Sequence, residues 1–392
     1  MKRIALVFAA LALTGAMAYA QDAAPAAPAP VVVTIGDWGR QIFQVGGQDS
    51  SGYSFGTGTS WDNTPRIVGL NIQAAYANGG FSITPEADNG GFGLTDQNKA
   101  WVIPLPGLTF EAGLTLETDT WRGTSDFGSD DWVRFQGYQQ NSFTFFRLGE
   151  ASSNSTFDVN YNKDGIGAWA LVSGTGQDIG SSLQAGAAYT VPSVATIKAQ
   201  YIGYNVGGTT LQGTTRSALV ADGTAFGQIQ VAVNVSPLVK GLNEEIGVDF
   251  PSNATDAGYV FQVSDITDFA IPSTPVTAHL LVLITDFNGN LSTSGGSGYG
   301  LLGGVGADYD LGNKVTLNGD VRYGNALGSS NGLNTSNSLT GVLIGIKKGF
   351  DHGDIGIGFE YSTSTIIATA ISGAGDATKG HWLIPVELTE SF

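Results

Sequence analysis

The residues able to do chemistry are few. The chain has three histidines, His279, His352 and His381, and no cysteine, which removes disulfides, zinc clusters and thiol catalysis together. One G-x-S-x-G match runs from Gly328 to Gly332 around Ser330. A serine hydrolase needs Ser, His and a third polar group gathered at one place, and the elbow motif needs a strand-to-helix turn. This match falls instead in a Gly/Ser/Asn-rich stretch. His352 sits in an expected tight turn, and His279 and His381 sit in expected strands, where structural roles are the usual ones. Asp286, Asn288 and Asn290 have the opening spacing of a calcium loop, but Leu291 stands where the sixth-position Gly belongs and Ser297 where the closing Glu belongs. Residues 126–131 form an acidic stretch best read as solvated loop. No Gly-rich phosphate loop opens a helix. The expectation is no enzyme, no metal site and no cofactor.

The remaining polar residues follow a pattern, and that pattern belongs to the elements that carry them. In residues 108–119, Leu108, Phe110, Ala112, Leu114 and Leu116 alternate with Thr109, Glu111, Gly113, Thr115, Glu117 and Asp119. Ile229, Val231, Val233 and Val235 alternate with Gln228, Gln230 and Asn234; Val315, Leu317, Val321 and Tyr323 with Thr316, Asn318, Asp320 and Arg322; Ile355, Ile357, Phe359 and Tyr361 with Gly356, Gly358, Glu360 and Ser362. Period-two alternation gives each strand one apolar and one hydrophilic face.

Alternation also fits a secreted soluble β-sandwich with its apolar faces inward. Three features argue against that. The strands run to about 9–12 residues, against about 5–6 in soluble sheets and about 9–11 for tilted membrane strands. Tyrosines end the apolar faces: Tyr189 and Tyr309 before short turns, Tyr201, Tyr323 and Tyr361 before long loops. Connections alternate in length, with short ones at 104–107, 191–193, 236–241, 311–313 and 350–353, and long Gly/Ser/Thr/Asn stretches at 205–225, 288–298, 324–337 and 363–380. No stretch of the mature chain reaches the length of a membrane helix.

Composition agrees. Gly supplies 57 of 392 residues, and charged residues are only 13%, roughly half the usual share of about 25%. A chain with half its strand positions facing lipid must be poor in charge. Lys2 and Arg3, the apolar run 4–13 and Ala18-Tyr19-Ala20 read as a signal peptide over residues 1–20. An Ala/Pro-rich spacer follows at 21–30, and 31–392 form one domain. Once Lys2 and Arg3 leave with the signal, the 17 basic residues fall to 15 against 34 acidic ones, a poor match for nucleic acid. The fold class expected is all-β: a transmembrane antiparallel up-and-down β-barrel of about 18 strands, within a range of about 16–20. About 16 strands are counted from Leu108 onward and two to four before it.

The last strand, HWLIPVELTESF at residues 381–392, sets Trp382, Ile384, Val386 and Leu388 on one face and ends on Phe392 at the same parity. It resembles the C-terminal assembly signal of Gram-negative outer-membrane proteins, with Glu390 departing from the apolar pattern. GDWGRQIF, residues 36–43, resembles the first strand of some spirochaete outer-membrane barrels. The resemblance implies a location in the cell outer membrane, insertion by the barrel-assembly machinery with Phe392 at the periplasmic rim, and, by similarity to general porins, a homotrimer. In such a barrel Glu111, Glu117, Asp119, Arg134, Lys198, Asp249, Asp320, Arg322, Lys347 and Glu360 point inward as pore-lining residues. The function this implies is a porin: a water-filled channel for passive diffusion of small hydrophilic solutes or ions, with a modest cation preference from the excess of acids. The competing reading is a surface adhesin or structural outer-membrane protein with a plugged barrel. Residues 205–225 are the candidate constricting loop.

Overall fold

The computed structural model describes residues 30–49, 52–56, 66–88, 91–94, 98–114, 155–173, 183–205, 225–252, 259–287, 298–325, 339–362 and 381–392. Their segments are β1 (Val32–Asp49), β2 (Gly52–Gly56), β3 (Arg66–Tyr76), β4 (Gly79–Ile83), β5 (Pro85–Asp88), β6 (Gly91–Leu94), β7 (Lys99–Leu105), β8 (Leu108–Leu114), β9 (Ser155–Lys163), β10 (Ile166–Ser173) and β11 (Leu183–Val191). After these come β12 (Ala195–Asn205), β13 (Ala225–Asn234), β14 (Leu242–Pro251), β15 (Tyr259–Ala270), β16 (Val276–Phe287), β17 (Gly298–Gly312), β18 (Val315–Asn325), β19 (Leu339–Phe350), β20 (Gly353–Ser362) and β21 (His381–Ser391).

These segments make 18 wall strands. Both β2 and β3 pair with the same edge of β1, so they are one interrupted strand. In the same way β4 and β5 continue one another along β3, and β6 and β7 continue one another along β5 and β4. At the β4–β5 break the Thr84 amide donates to the Asn98 side chain at 2.8 Å instead of to a ladder carbonyl. Every pairing is antiparallel, and β1 pairs with β21 from Trp38↔Ser391 to Gln48↔Trp382, which closes the sheet into a barrel. Closure leaves no lateral edge for backbone groups to meet lipid, the condition for spanning a bilayer with strands.

The total agrees with the expectation, but its distribution differs. The N-terminal part contributes four wall strands, and β8 is hydrogen-bonded straight to β9, Leu114↔Ser155 through Leu108↔Tyr161. The alternation after Leu114, counted as wall in the sequence, lies outside the described residues. Parity identifies faces, not neighbours.

The expected short turns recur at 106–107, 192–194, 235–241, 313–314 and 351–352, joined by 77–78, 164–165 and 271–275. All lie on the rim that also holds the start of β1 and Phe392. The turn at 164–165 is Asp-Gly with φ of 54° and 80°, the left-handed pair a two-residue hairpin demands. That dipeptide was a legible signal.

Burial runs opposite to that of a soluble sheet. Gln230 has no exposed surface while its neighbour Val231 is 38% exposed and Ile229 50%. Leu317, Val321, Ile344, Ile346, Ile355, Ile357 and Phe359 are all exposed, forming an apolar outer belt. Tyr189 and Tyr309 stand exposed toward the short-turn rim, and Tyr323 and Tyr361 toward the other, as two interfacial girdles require.

Candidate channel wall

Antiparallel register converts single polar residues into rows around the inner wall. Glu111 of β8 lies between Trp101 of β7 and Asp158 of β9. The Lys99 ammonium reaches Glu111 at 3.1 Å, and Asn160 donates to Asp158. One row runs from Trp169 past Gly186 to Gln200, Gln230, Asp249 and Gln262. In it the Trp169 indole donates to Gln200 at 3.2 Å and the Gln200 amide to Gln230 at 2.7 Å. Gly186 is required here, because a Cβ would enter the Trp169 ring.

Lys198 pairs with Glu245 at 2.7 Å, with side chains 9% and 0% exposed. Asn234 and Glu245 face each other in register. His279 sits between two carboxylates, Asp268 at 2.7 Å and Asp308 at 3.3 Å. Nearer the short-turn rim Lys347 binds Asp354 at 3.1 Å. A buried charge is tolerable only when paired in this way.

Of the residues expected to point inward, Glu111, Lys198, Asp249, Asp320 and Lys347 are placed on the polar face. Asp249 has no exposed surface, Lys198 is buried, and Asp320 is half-buried between the register positions of Gly306 and Leu343. Arg322 and Glu360 occupy register positions of that same face, opposite Gly304 and Leu343. Glu117, Asp119 and Arg134 lie outside the described residues, as do nearly all of the loop 205–225, the match around Ser330 and the acidic stretch 126–131.

Sequence reading missed the partners. Lys99, Asp158, Glu245, Asp268, Asp308 and Asp354 follow from the same alternation, so parity was a sufficient signal for each face. Which of them touch depends on register. His279, read as a strand residue with a structural role, lies at the centre of an inner cluster because Asp268 is its direct cross-strand partner. His352 lies in the 351–352 turn, where its ring stacks on Phe392 at 4.9 Å. Among the described residues no group of three or more His, Asp or Glu is arranged to hold a metal ion.

No protein-family model matches this chain, and no curated protein matches it in sequence. Solved structures do. The anion-selective porin from Comamonas acidovorans aligns with a TM-score of 0.52 at 13% identity, covering 93% of this chain and 100% of that one. Wzi of Escherichia coli, an outer-membrane protein involved in group 1 capsule assembly and described as a carbohydrate-binding β-barrel, aligns with a TM-score of 0.51 at 9% identity, covering 90% of this chain and 83% of that one. What is shared at such identities is the fold. The chain folds as an outer-membrane β-barrel.

Proposed function

We propose that this barrel is an outer-membrane porin, a passive water-filled channel for small hydrophilic solutes or ions with a modest cation preference. The observation that carries the reading is the wall itself: 18 closed strands with an apolar belt outside and charged and amide side chains inside. A wall of about 16–18 strands is wider than its own side chains can fill. Glu111, Asp158, Glu245, Asp249, Asp268, Asp308, Asp320 and Asp354 outnumber Lys99, Lys198 and Lys347 on the inner face, a field that favours cations. Pore-lining roles are assigned to Glu111, Asp320 and Lys347, with Arg322 and Glu360 at the same face; Lys198 and Asp249 share that face but are buried. Residues 1–20 are the cleaved export signal, 21–30 a spacer, and the barrel-assembly machinery inserts the chain by its last strand.

Planar-bilayer recording of the purified barrel across a salt gradient tests this. Stable conductance with a reversal potential of cationic sign is expected, and a correctly folded barrel that never conducts overturns it. The plugged-barrel reading has one observation in its favour, the full burial of Gln230 and Asp249 on the inner face. Side chains without exposed surface do not meet free water, as a lumen narrowed on the β13–β14 side would require. Conductance separates a narrowed pore from a closed one.

A further inference from the structure

Glu245 and Asp158 are both fully buried acids of the inner wall, and their surroundings differ. Glu245 has the Lys198 ammonium at 2.7 Å. Asp158 has 0% exposed surface and accepts a hydrogen bond from Asn160 through Oδ2. Among the described residues its Oδ1 has no hydrogen-bond partner. Its direct cross-strand neighbour on the same face is another acid, Glu111 of β8. The Lys99 ammonium beside this pair is bound to Glu111, at 3.4 Å and 3.1 Å from Oε1 and Oε2. Two carboxylates thus share one ammonium, and that ammonium bonds to the shallower of them, whose side chain is 14% exposed.

A buried carboxylate persists only when it is paired, neutralised by a proton or bound to a metal ion. Like charges directly opposite one another also weaken a sheet. A cation held between Asp158 and Glu111 would remove both costs. The donors are all oxygens, as a hard cation requires. Besides the two carboxylates there is Asn160, whose amide nitrogen donates to Asp158 and whose amide oxygen is an acceptor. Directly opposite side chains stand about 4.5–5.5 Å apart at Cβ. That spacing lets both carboxylates reach one ion at about 2.3–2.6 Å, the calcium–oxygen distance. On the other flank Leu171 of β10 is the register partner of Asp158 and is 1% exposed. Such a dry flank is unsuited to the several waters that Mg²⁺ retains, whereas Ca²⁺ accepts a flexible set of protein oxygens.

We propose that Glu111 and Asp158, together with the amide oxygen of Asn160, form a Ca²⁺ site in the channel wall. The ion would clamp β8 to β9 across a rung whose charges otherwise repel. A proton shared by the two carboxylates is the rival occupant, and it predicts no metal binding. Ion binding here does not depend on conduction, so a barrel that never conducts can still bind Ca²⁺ and a conducting one can fail to.

Tb³⁺ is the probe, since it replaces Ca²⁺ at oxygen sites and luminesces when a nearby indole absorbs the exciting light. Trp101 is the register partner of Glu111 and Trp169 that of Asn160, so two indoles flank the site. Titrating Tb³⁺ into the full-length barrel, folded in detergent and stripped with a chelator, should give a saturable signal. Ca²⁺ should displace it, and Mg²⁺ should do so about tenfold less well or worse. Asp158→Asn should weaken binding about tenfold or more, because a charged ligand is lost. Lys99→Met should tighten binding, because the ammonium that competes for Glu111 is gone. Heat-modifiable migration should show that each variant keeps its barrel. A native barrel without a saturable signal that Ca²⁺ displaces overturns the proposal, as does equal displacement by Mg²⁺. An Asp158→Asn barrel that binds as tightly as the native one, or a Lys99→Met barrel that binds no better, also overturns it.

Discussion

Phe392 and Asp37 exchange backbone hydrogen bonds, the Phe392 amide donating at 3.0 Å and the Asp37 amide returning at 3.3 Å. Residue 392 thereby closes the last rung of the seam between the first and last strands. Its ring also stacks on His352 of the β19–β20 turn. The terminal aromatic is thus tied to both neighbouring strands of the barrel.

Deleting Phe392 should remove both bonds and the stack, a loss of about 1–3 kcal/mol. Phe392→Ala keeps the backbone pair and should lose less. Urea unfolding in lipid vesicles measures both, and equal losses would mean that the ring alone matters.

Lys198→Met strands the Glu245 carboxylate, which is 0% exposed. Removing one partner of a buried pair costs about 3–5 kcal/mol, whereas replacing both with apolar residues is close to neutral. Lys198→Met with Glu245→Leu should therefore recover most of the loss in the same unfolding assay. A single-variant loss below about 1 kcal/mol would indicate a pair bathed in water.

Asp320 and Val321 are neighbours on opposite faces. Val321→Arg should cost about 2–4 kcal/mol in bilayers, the penalty for a basic side chain in the lipid belt. Asp320→Arg should leave stability nearly unchanged and move the reversal potential toward anions. The opposite pattern would invert the assignment of faces.

Outside the membrane-spanning strands, Lys314 binds Asp351 at 2.6 Å and holds its carboxyl below the usual carboxylate range. A folded-state pKa that is depressed means the contribution is present above the unfolded value of 3.8 and lost as pH falls through the folded value. Both side chains are exposed to solvent, so the effect is small. Asp351→Asn should lower the unfolding midpoint slightly at neutral pH, and the difference from the native chain should vanish in strong acid.

Much of the fold was legible from alternation. The hydrophilic positions of Glu111, Gln230, Asp320 and Lys347, the tyrosine girdles and five of the short turns follow from it, because side chains on a strand must alternate whatever the strand pairs with. The short turns at 77–78, 164–165 and 271–275 were missed. For Asp164-Gly165 the dipeptide was a sufficient clue.

The sequence by itself determined that this is a wall with one face for lipid and one for polar contact, since that property is local and repeats every second residue. Only the tertiary structure decided who meets whom. Register, set by the closure of β1 on β21 and the stagger of every hairpin, brought His279 between Asp268 and Asp308 and Lys198 onto Glu245. It placed β8 directly against β9 across the intervening residues.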